Sequence, residues 1–255
     1  MAEAMRIEDY LAEGGVLTSP DNVPARYRGE LMRLMASFVD SELAGAAGFA
    51  ERINDAPGIT ARIAAARIVA EKTGHAGRVL EIMGEFGADT ARYATRHPWA
   101  ARVARDADLG QVRAGADMRL SVFHYPLTGW VDAVAMNVLM GLATEVQLLE
   151  LSRVSYAPLA ETFREIAPVE ARHAALGLEG LRQIVATPSG RAKAQAALSY
   201  WWPKVAETFG RAGSERFGML ERLGLRHRPN ETLLADWKAA AEAALGGLGL
   251  RIGGR

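Results

Sequence analysis

Apolar residues recur at every third or fourth position through four long stretches of the chain. These stretches cover about residues 24–54, 59–86, 128–153 and 157–185. Such a repeat is typical of helices that turn one face towards a core. Strand-like alternation of apolar and polar residues does not persist anywhere in the sequence. The pattern therefore predicts an all-α protein built around four helices, each well above the average helix length of about 11 residues.

The segments around these four helices are shorter and contain more turn-forming residues. Glycine, serine and proline predict an N-terminal arm over residues 1–23, and glycines predict a frayed tail at 251–255. Between them, residues 24–250 are expected to form a single domain with an irregular segment at 88–125. Three further helices are predicted at about 191–210, 214–223 and 231–245.

Five ionisable side chains interrupt the apolar faces of the four long helices. Glu170 and His173 lie side by side on the fourth helix. The first three helices add Glu42, His75 and Glu145. An unpaired carboxylate in a core costs several kcal/mol, so the set needs a neutralising partner. A metal ion is one solution, because Glu-x-x-His pairs hold metals in ferritin-like bundles. An arginine bonded to Glu170, with His173 as an ordinary core histidine, is the other.

A lysine stands where a dinuclear site of this kind needs a fourth carboxylate. Lys72 precedes His75 by three residues on the same predicted face, and a protonated lysine does not bind metals. Three carboxylates and one ammonium leave two negative charges, which match one divalent ion. Two arrangements remain open. Either the ammonium takes the place of a metal between Glu42 and Glu170, or the neighbouring Glu71 turns inwards and restores the fourth carboxylate.

Composition narrows the classes of function. The chain has 255 residues, is 49% hydrophobic and carries a formal net charge of zero. The lack of a basic cluster disfavours nucleic acid and membrane surfaces as partners. The lack of cysteine excludes disulfides, iron–sulfur clusters and thiol catalysis. The N-terminus does not resemble a secretory signal, and the apolar stretch 133–144 is too short to cross a bilayer. These features predict a cytoplasmic protein.

Several short motifs occur in order between about residues 24 and 250. They are Ser41-Glu42-Leu43-Ala44-Gly45, Glu71-Lys72-Thr73-Gly74-His75, Phe123-His124-Tyr125-Pro126, Ser155-Tyr156-Ala157-Pro158 and Trp201-Trp202-Pro203. Their combination and spacing resemble the catalytic subunits of bacterial phenylacetyl-CoA epoxidases, which are ferritin-like di-iron monooxygenases of phenylacetic acid catabolism. The resemblance implies a ferritin-like four-helix bundle with additional C-terminal helices.

The resemblance also implies a set of metal ligands with two replacements. The ligand positions that match are Glu42, His75, Glu170 and His173. Lys72 stands at the family's second glutamate, and Gly141 stands at its aspartate on the third helix. Glu145 lies one turn beyond Gly141 and is the candidate substitute ligand or proton carrier. His97, His124 and His227 are predicted to lie in bends and surface loops, away from the site.

Two functions follow from this resemblance. The first is an epoxidase-like oxygenase with an altered site that holds one iron ion or none, acts on an aromatic acyl-CoA, and uses Lys72 and Glu145 in catalysis. The second is a metal-free, non-catalytic subunit that serves the assembly of an oxygenase complex. In either case the chain is expected to form a homodimer or a complex with a related helical subunit.

Overall fold

Helices make up most of the part of the chain described by a computed structural model, which covers residues 6–95, 98–109 and 117–252. This confirms the all-α class. Within those ranges, strand-like pairing is limited to one isolated bridge between Leu17 and Tyr156. The α-helices are α1 (Ile7–Ala12), α2 (Ala25–Ala50), α3 (Ile59–Glu85), α4 (Thr90–Ala94), α5 (Trp130–Leu151), α6 (Ala157–Val185), α7 (Pro188–Ala206), α8 (Phe217–Arg222) and α9 (Asn230–Gly246).

Four long helices form the bundle where the apolar pattern predicts them. α2 packs along α3, α5 packs along α6, and α3 meets α6. Local sequence sets their ends, because Pro24 in an extended conformation precedes α2 and Pro158 lies in the first turn of α6. α6 spans the predicted range. α2 ends at Ala50, earlier than predicted, and a short 3-10 helix over Ile53–Asp55 follows it.

α5 is the central helix of the fold. α6, α7 and α9 all pack against it, and 14 of its 22 residues are buried. By length and composition alone α5 is apolar enough to cross a membrane, yet 61% of its most apolar stretch is buried inside the fold. A helix that is apolar all round and covered by other helices is a core helix, which is the role of α5 here.

α5 and α6 approach each other closely through glycines. A Cβ atom at Gly141 would lie 2.9 Å from the Cβ of Ala174, and one at Gly177 would lie 2.7 Å from Asn137 Nδ2. Both separations are under 3.0 Å, which is closer than a Cβ atom approaches its neighbours in folded proteins. Asn137 Nδ2 also donates a hydrogen bond to the backbone carbonyl of His173 at 3.2 Å. Position 141 therefore has no room for a side chain unless the two helices move apart.

The N-terminal arm contains more structure than its turn-forming residues predict. It includes α1, and Leu17 then runs beside the start of α6. The backbone N–H of Leu17 donates to the carbonyl of Ser155 at 3.3 Å, and the N–H of Ala157 donates to the carbonyl of Leu17 at 2.8 Å. Leu17 and Val23 are buried. A six-residue helix is too short for an apolar period to appear in the sequence, so the prediction missed it.

The irregular segment before α5 is held against α2 by two neighbouring polar residues. Asp40 accepts hydrogen bonds from the Tyr93 hydroxyl at 2.5 Å and from the backbone N–H of Met118 at 2.7 Å. Ser41 Oγ accepts one from the backbone N–H of Leu120 at 3.0 Å. These bonds fix the described part of the segment next to the turn of α2 that carries the candidate site.

Candidate functional site

Lys72 lies between two buried carboxylates inside the bundle. Its Nζ atom is 2.8 Å from Glu170 Oε2 and 3.1 Å from Glu42 Oε1. Glu170 is 1% exposed and Glu42 is 5% exposed. Burial lowers the pKa of Lys72, but the attraction of the two carboxylates and the hydrogen bonds to them outweigh it, and the net pKa is raised. The lysine is therefore a charged ammonium that joins α3 to both α2 and α6.

Both histidines contact Glu170. His75 Nδ1 lies 3.0 Å from Glu170 Oε1 and 3.5 Å from Glu42 Oε2, and His173 Nδ1 lies 3.3 Å from Glu170 Oε1. Burial lowers the pKa of His75, but hydrogen bonds to the two carboxylates and their charge raise it above its ordinary value. Burial raises the pKa of Glu170, whereas Lys72 and the histidines hold it well below the usual range. Glu170 is thus an ionised carboxylate with three partners.

Glu71 connects this cluster to the surface. Its Oε2 lies 2.6 Å from His173 Nε2, and its Oε1 accepts a hydrogen bond from Arg172 at 2.9 Å. The Glu71 side chain is 28% exposed, against 1% for His173. Burial raises the pKa of Glu71, but the hydrogen bonds and charges of His173 and Arg172 lower it by more, so that the net pKa lies below its ordinary value. We call the following residues the polar centre: Glu42, Glu71, Lys72, His75, Glu170 and His173.

The charges of the polar centre nearly cancel without a metal ion. Its charged members and their surface neighbour are Glu42, Glu71, Glu170, Lys72 and Arg172. Three negative charges face two positive ones, and the raised pKa of His75 favours a third positive charge. Two buried atoms, Glu42 Oε2 and His173 Nδ1, make no hydrogen bond with the described residues. The network therefore carries one negative charge in excess when His75 is neutral and none when His75 is protonated, and it retains some free bonding capacity.

The donor set does not fit a dinuclear metal centre. Single ligand atoms from Glu42, His75 and Glu170 lie within 4.8 Å of one another, which is a grouping that one ion could use. The Lys72 ammonium contacts two of these three residues, and it would repel a second cation nearby. Gly141 offers no ligand and lies too close to Ala174 for any side chain.

The remaining candidates lie apart from the polar centre or outside the described residues. Glu145 is half-buried on α5, and burial raises the pKa of its carboxyl. Among the described residues, no hydrogen bond or ion pair joins it to the polar centre, so its role as ligand or proton carrier stays a prediction. His124 ends a 3-10 helix, and His227 Nδ1 lies 3.5 Å from Glu150 Oε1. His97 lies outside the described residues.

Two residues of the site are not evident from the apolar pattern. Arg172 is next to His173, but its importance depends on the direction in which Glu71 turns. Asn137 lies on α5, and its hydrogen bond to the backbone carbonyl of His173 depends on how closely α5 and α6 pack. The apolar pattern identifies residues that face the core, whereas Arg172 and Asn137 form hydrogen bonds to other helices.

A small cavity adjoins the polar centre beside Lys72 and Glu170. It has a volume of about 40 Å³ and lies between α2, α3 and α5. Phe123, Met140 and Thr144 form part of its wall. Since one water molecule needs about 10–15 Å³ by this kind of measure, the cavity accommodates only a few waters.

The fold and the polar centre together define a ferritin-like helical bundle with carboxylate and histidine residues converging between its helices. The family described as Phenylacetic acid catabolic protein matches residues 5–253, and the chain belongs to this family. Among curated proteins, it is similar to one component of the 1,2-phenylacetyl-CoA epoxidase of Escherichia coli (strain K12), with 23% identity over 205 residues. The match covers 80% of this chain but 62% of that protein, so the chain spans about three fifths of the relative's length.

Proposed function

We propose that this chain serves the catabolism of phenylacetate-type aromatic acyl-CoA compounds as a helical subunit of an epoxidase-like complex. In this role its own bundle works without a dinuclear metal centre. The type of reaction and the existence of several subunits are suggested by the name of the E. coli relative. The altered centre is suggested by this chain's own residues.

The observation that carries the proposal is the double ion pair of Lys72. One ammonium contacts Glu42 on α2 and Glu170 on α6 and itself belongs to α3. A bridging metal ion would hold the same helices together and neutralise the same carboxylates. The lysine therefore takes over the structural part of a metal's role, and this chain contributes shape and contacts to the complex rather than a redox centre.

A second candidate is a mononuclear metalloenzyme, and a specific observation favours it. Glu42, His75 and Glu170 can converge on one ion, and Glu42 Oε2 has no hydrogen-bond partner among the described residues. When bound, iron would supply redox and Lewis-acid chemistry at these ligands. It would first have to displace the Lys72 ammonium from both carboxylates, which is why we rank this function second.

Metal content and thermal stability together separate the two candidates. The protein is purified from iron-supplemented cells, its iron is measured per chain, and its melting temperature is compared with and without a chelator. The proposed subunit should hold well under one iron per chain and melt at the same temperature in both conditions. One iron per chain, together with a clear drop in melting temperature on chelation, would replace the proposal by the mononuclear enzyme.

A further inference from the structure

A second and larger cavity lies between α2, α5 and α8, and we call it the α2–α5 groove. Its volume is about 330 Å³, at the lower end of the range typical of small-molecule sites. Its apolar wall residues include Leu34, Phe38, Phe123, Met140, Leu148 and Leu220. Arg33 and Arg216 lie at its edge, and both pair with Glu30.

Arg226 brings an additional positive charge into this groove. Its Nη1 donates to Gln147 Oε1 at 3.1 Å, and no carboxylate of the described residues lies within ion-pair distance of it. The nearby Glu150 is not within ion-pair distance of Arg226. Its Oε1 accepts hydrogen bonds from the backbone N–H groups of His227 and Arg228, and its Oε2 makes no hydrogen bond with the described residues. Burial lowers the pKa of Arg226, and the charge of Glu150 opposes this only in part. An anion in the groove would supply the missing partner.

The groove reaches the polar centre. Glu42 lines it, is 5% exposed, and has an Oε2 atom without a hydrogen-bond partner among the described residues. Phe123, Met140 and Thr144 line both the groove and the small cavity beside Lys72. Thr144 is separated from Gln147, the partner of Arg226, by about 4.5 Å of helix rise. A ligand of modest length can therefore contact Arg226 and the apolar wall near Glu42 together.

We propose that the α2–α5 groove binds a small amphipathic anion, namely a carboxylate or phosphate monoester that carries a hydrocarbon chain or ring. The anionic group contacts Arg226, and the hydrocarbon part packs against Phe38, Met140 and Leu148. Charge-assisted hydrogen bonds to a guanidinium give the head group its specificity, and apolar burial supplies affinity. This goes beyond the proposed function, because it requires neither a metal nor turnover.

Calorimetric titration of the full chain, stripped of metals with a chelator, tests this inference. Octanoate and octyl phosphate supply the two head groups, and uncharged octanol supplies the same chain without charge. Arg226→Gln removes the charge but keeps a polar group beside Gln147. Arg222→Gln, on the exposed side of α8 and outside the groove, is the matched control. Ser37→Phe fills the groove without changing any charge.

Wild type and Arg222→Gln should bind at least one of the two anions with 1:1 stoichiometry, and octanol should bind about tenfold more weakly or worse. Arg226→Gln should lose about tenfold or more, as expected for one charged hydrogen bond, and Ser37→Phe should not bind. A preference for octanoate or for octyl phosphate identifies the head group. No binding by wild type at millimolar anion, or unchanged affinity in both groove variants, would overturn the inference. Metals play no part in this titration, so its failure leaves the proposed metal-free centre untouched.

Discussion

Lys72 joins three helices through one ammonium group, since it lies on α3 and contacts carboxylates of α2 and α6. A buried ion pair adds little stability compared with a well-packed apolar core, but removing one partner leaves an uncompensated charge. Here the loss of the lysine would leave two carboxylates facing each other. The polar centre therefore makes the fold depend strongly on this single residue.

Lys72→Met should lower the free energy of unfolding by about 3–5 kcal/mol, because Glu42 and Glu170 lose their cation. Denaturant unfolding at neutral pH in the presence of chelator measures the effect. Arg78→Met is the matched control on the same helix, because its partner is Glu165 and the two side chains are 41% and 67% exposed. A surface pair of this kind contributes roughly 0.2–1 kcal/mol. Equal losses in the two variants would contradict a buried, charged Lys72.

The pKa of His75 predicts how stability changes with pH. Its pKa is raised in the folded state, so its contribution is complete below the unfolded value of about 6.5 and is lost as pH rises through the folded value. Glu71 and Glu170 have lowered pKa values and lose their contribution only under acidic conditions. Wild type should therefore lose more stability than His75→Gln between pH 6 and pH 9, as followed by denaturant unfolding. Parallel pH profiles would show that His75 stays neutral.

At the scale of elements, the close contact between α5 and α6 leaves no room for a side chain at Gly141, the position at which the family resemblance implies an aspartate. Gly141 touches Ala174 across the helix pair, so the two positions have to change together. The absence of a carboxylate ligand at position 141 is thus tied to the short distance between α5 and α6. Restoring a carboxylate at 141 alone would strain the bundle before it bound any metal.

Gly141→Ala should destabilise the protein by about 1–3 kcal/mol, as overpacking does, although alanine is the better helix former. Gly180→Ala on α6 is the control, because its Cβ would lie 3.5 Å from Val134, an ordinary contact. It should be neutral or stabilising by up to about 1 kcal/mol. Adding Ala174→Gly to Gly141→Ala should recover part of the loss. Thermal unfolding of the four proteins gives the answer, and a stable Gly141→Ala would mean that the helices separate easily.

The sequence predicts elements better than it predicts contacts between them. The period of α6 is sustained over 29 residues, so its bounds are predictable, and the ionisable residues on its inner face are conspicuous among apolar neighbours. Lys72 could be placed near Glu42 and Glu170 for the same reason. The α1 helix is too short to show a period. The sequence left the position of Lys72 and the inward turn of Glu71 as alternatives, whereas the structure has Lys72 between Glu42 and Glu170 and also turns Glu71 towards His173. The contact of Gly141 with Ala174 depends on the separation of two helices, which no periodicity encodes.

At the scale of the whole molecule, the bundle combines a centre whose charges nearly cancel with a groove that leads to it. α5 supplies a wall to both, through Met140 and Thr144. With the metal-free centre proposed above, the protein would hold the proposed groove ligand without redox chemistry of its own. That would leave the metal centre of the proposed complex on another chain.

The most direct test of this account is the number of iron ions per chain in wild type and in Lys72→Glu after identical loading. Elemental analysis should find well under one ion per chain in wild type, because the Lys72 ammonium contacts both Glu42 and Glu170. It should find a higher content in Lys72→Glu, in which a carboxylate replaces the ammonium. Lys193→Glu makes the same change of charge at an exposed position of α7 and should match wild type. Two ions per chain in wild type would contradict the account, because they would show that the Lys72 ammonium does not occupy the centre of the bundle.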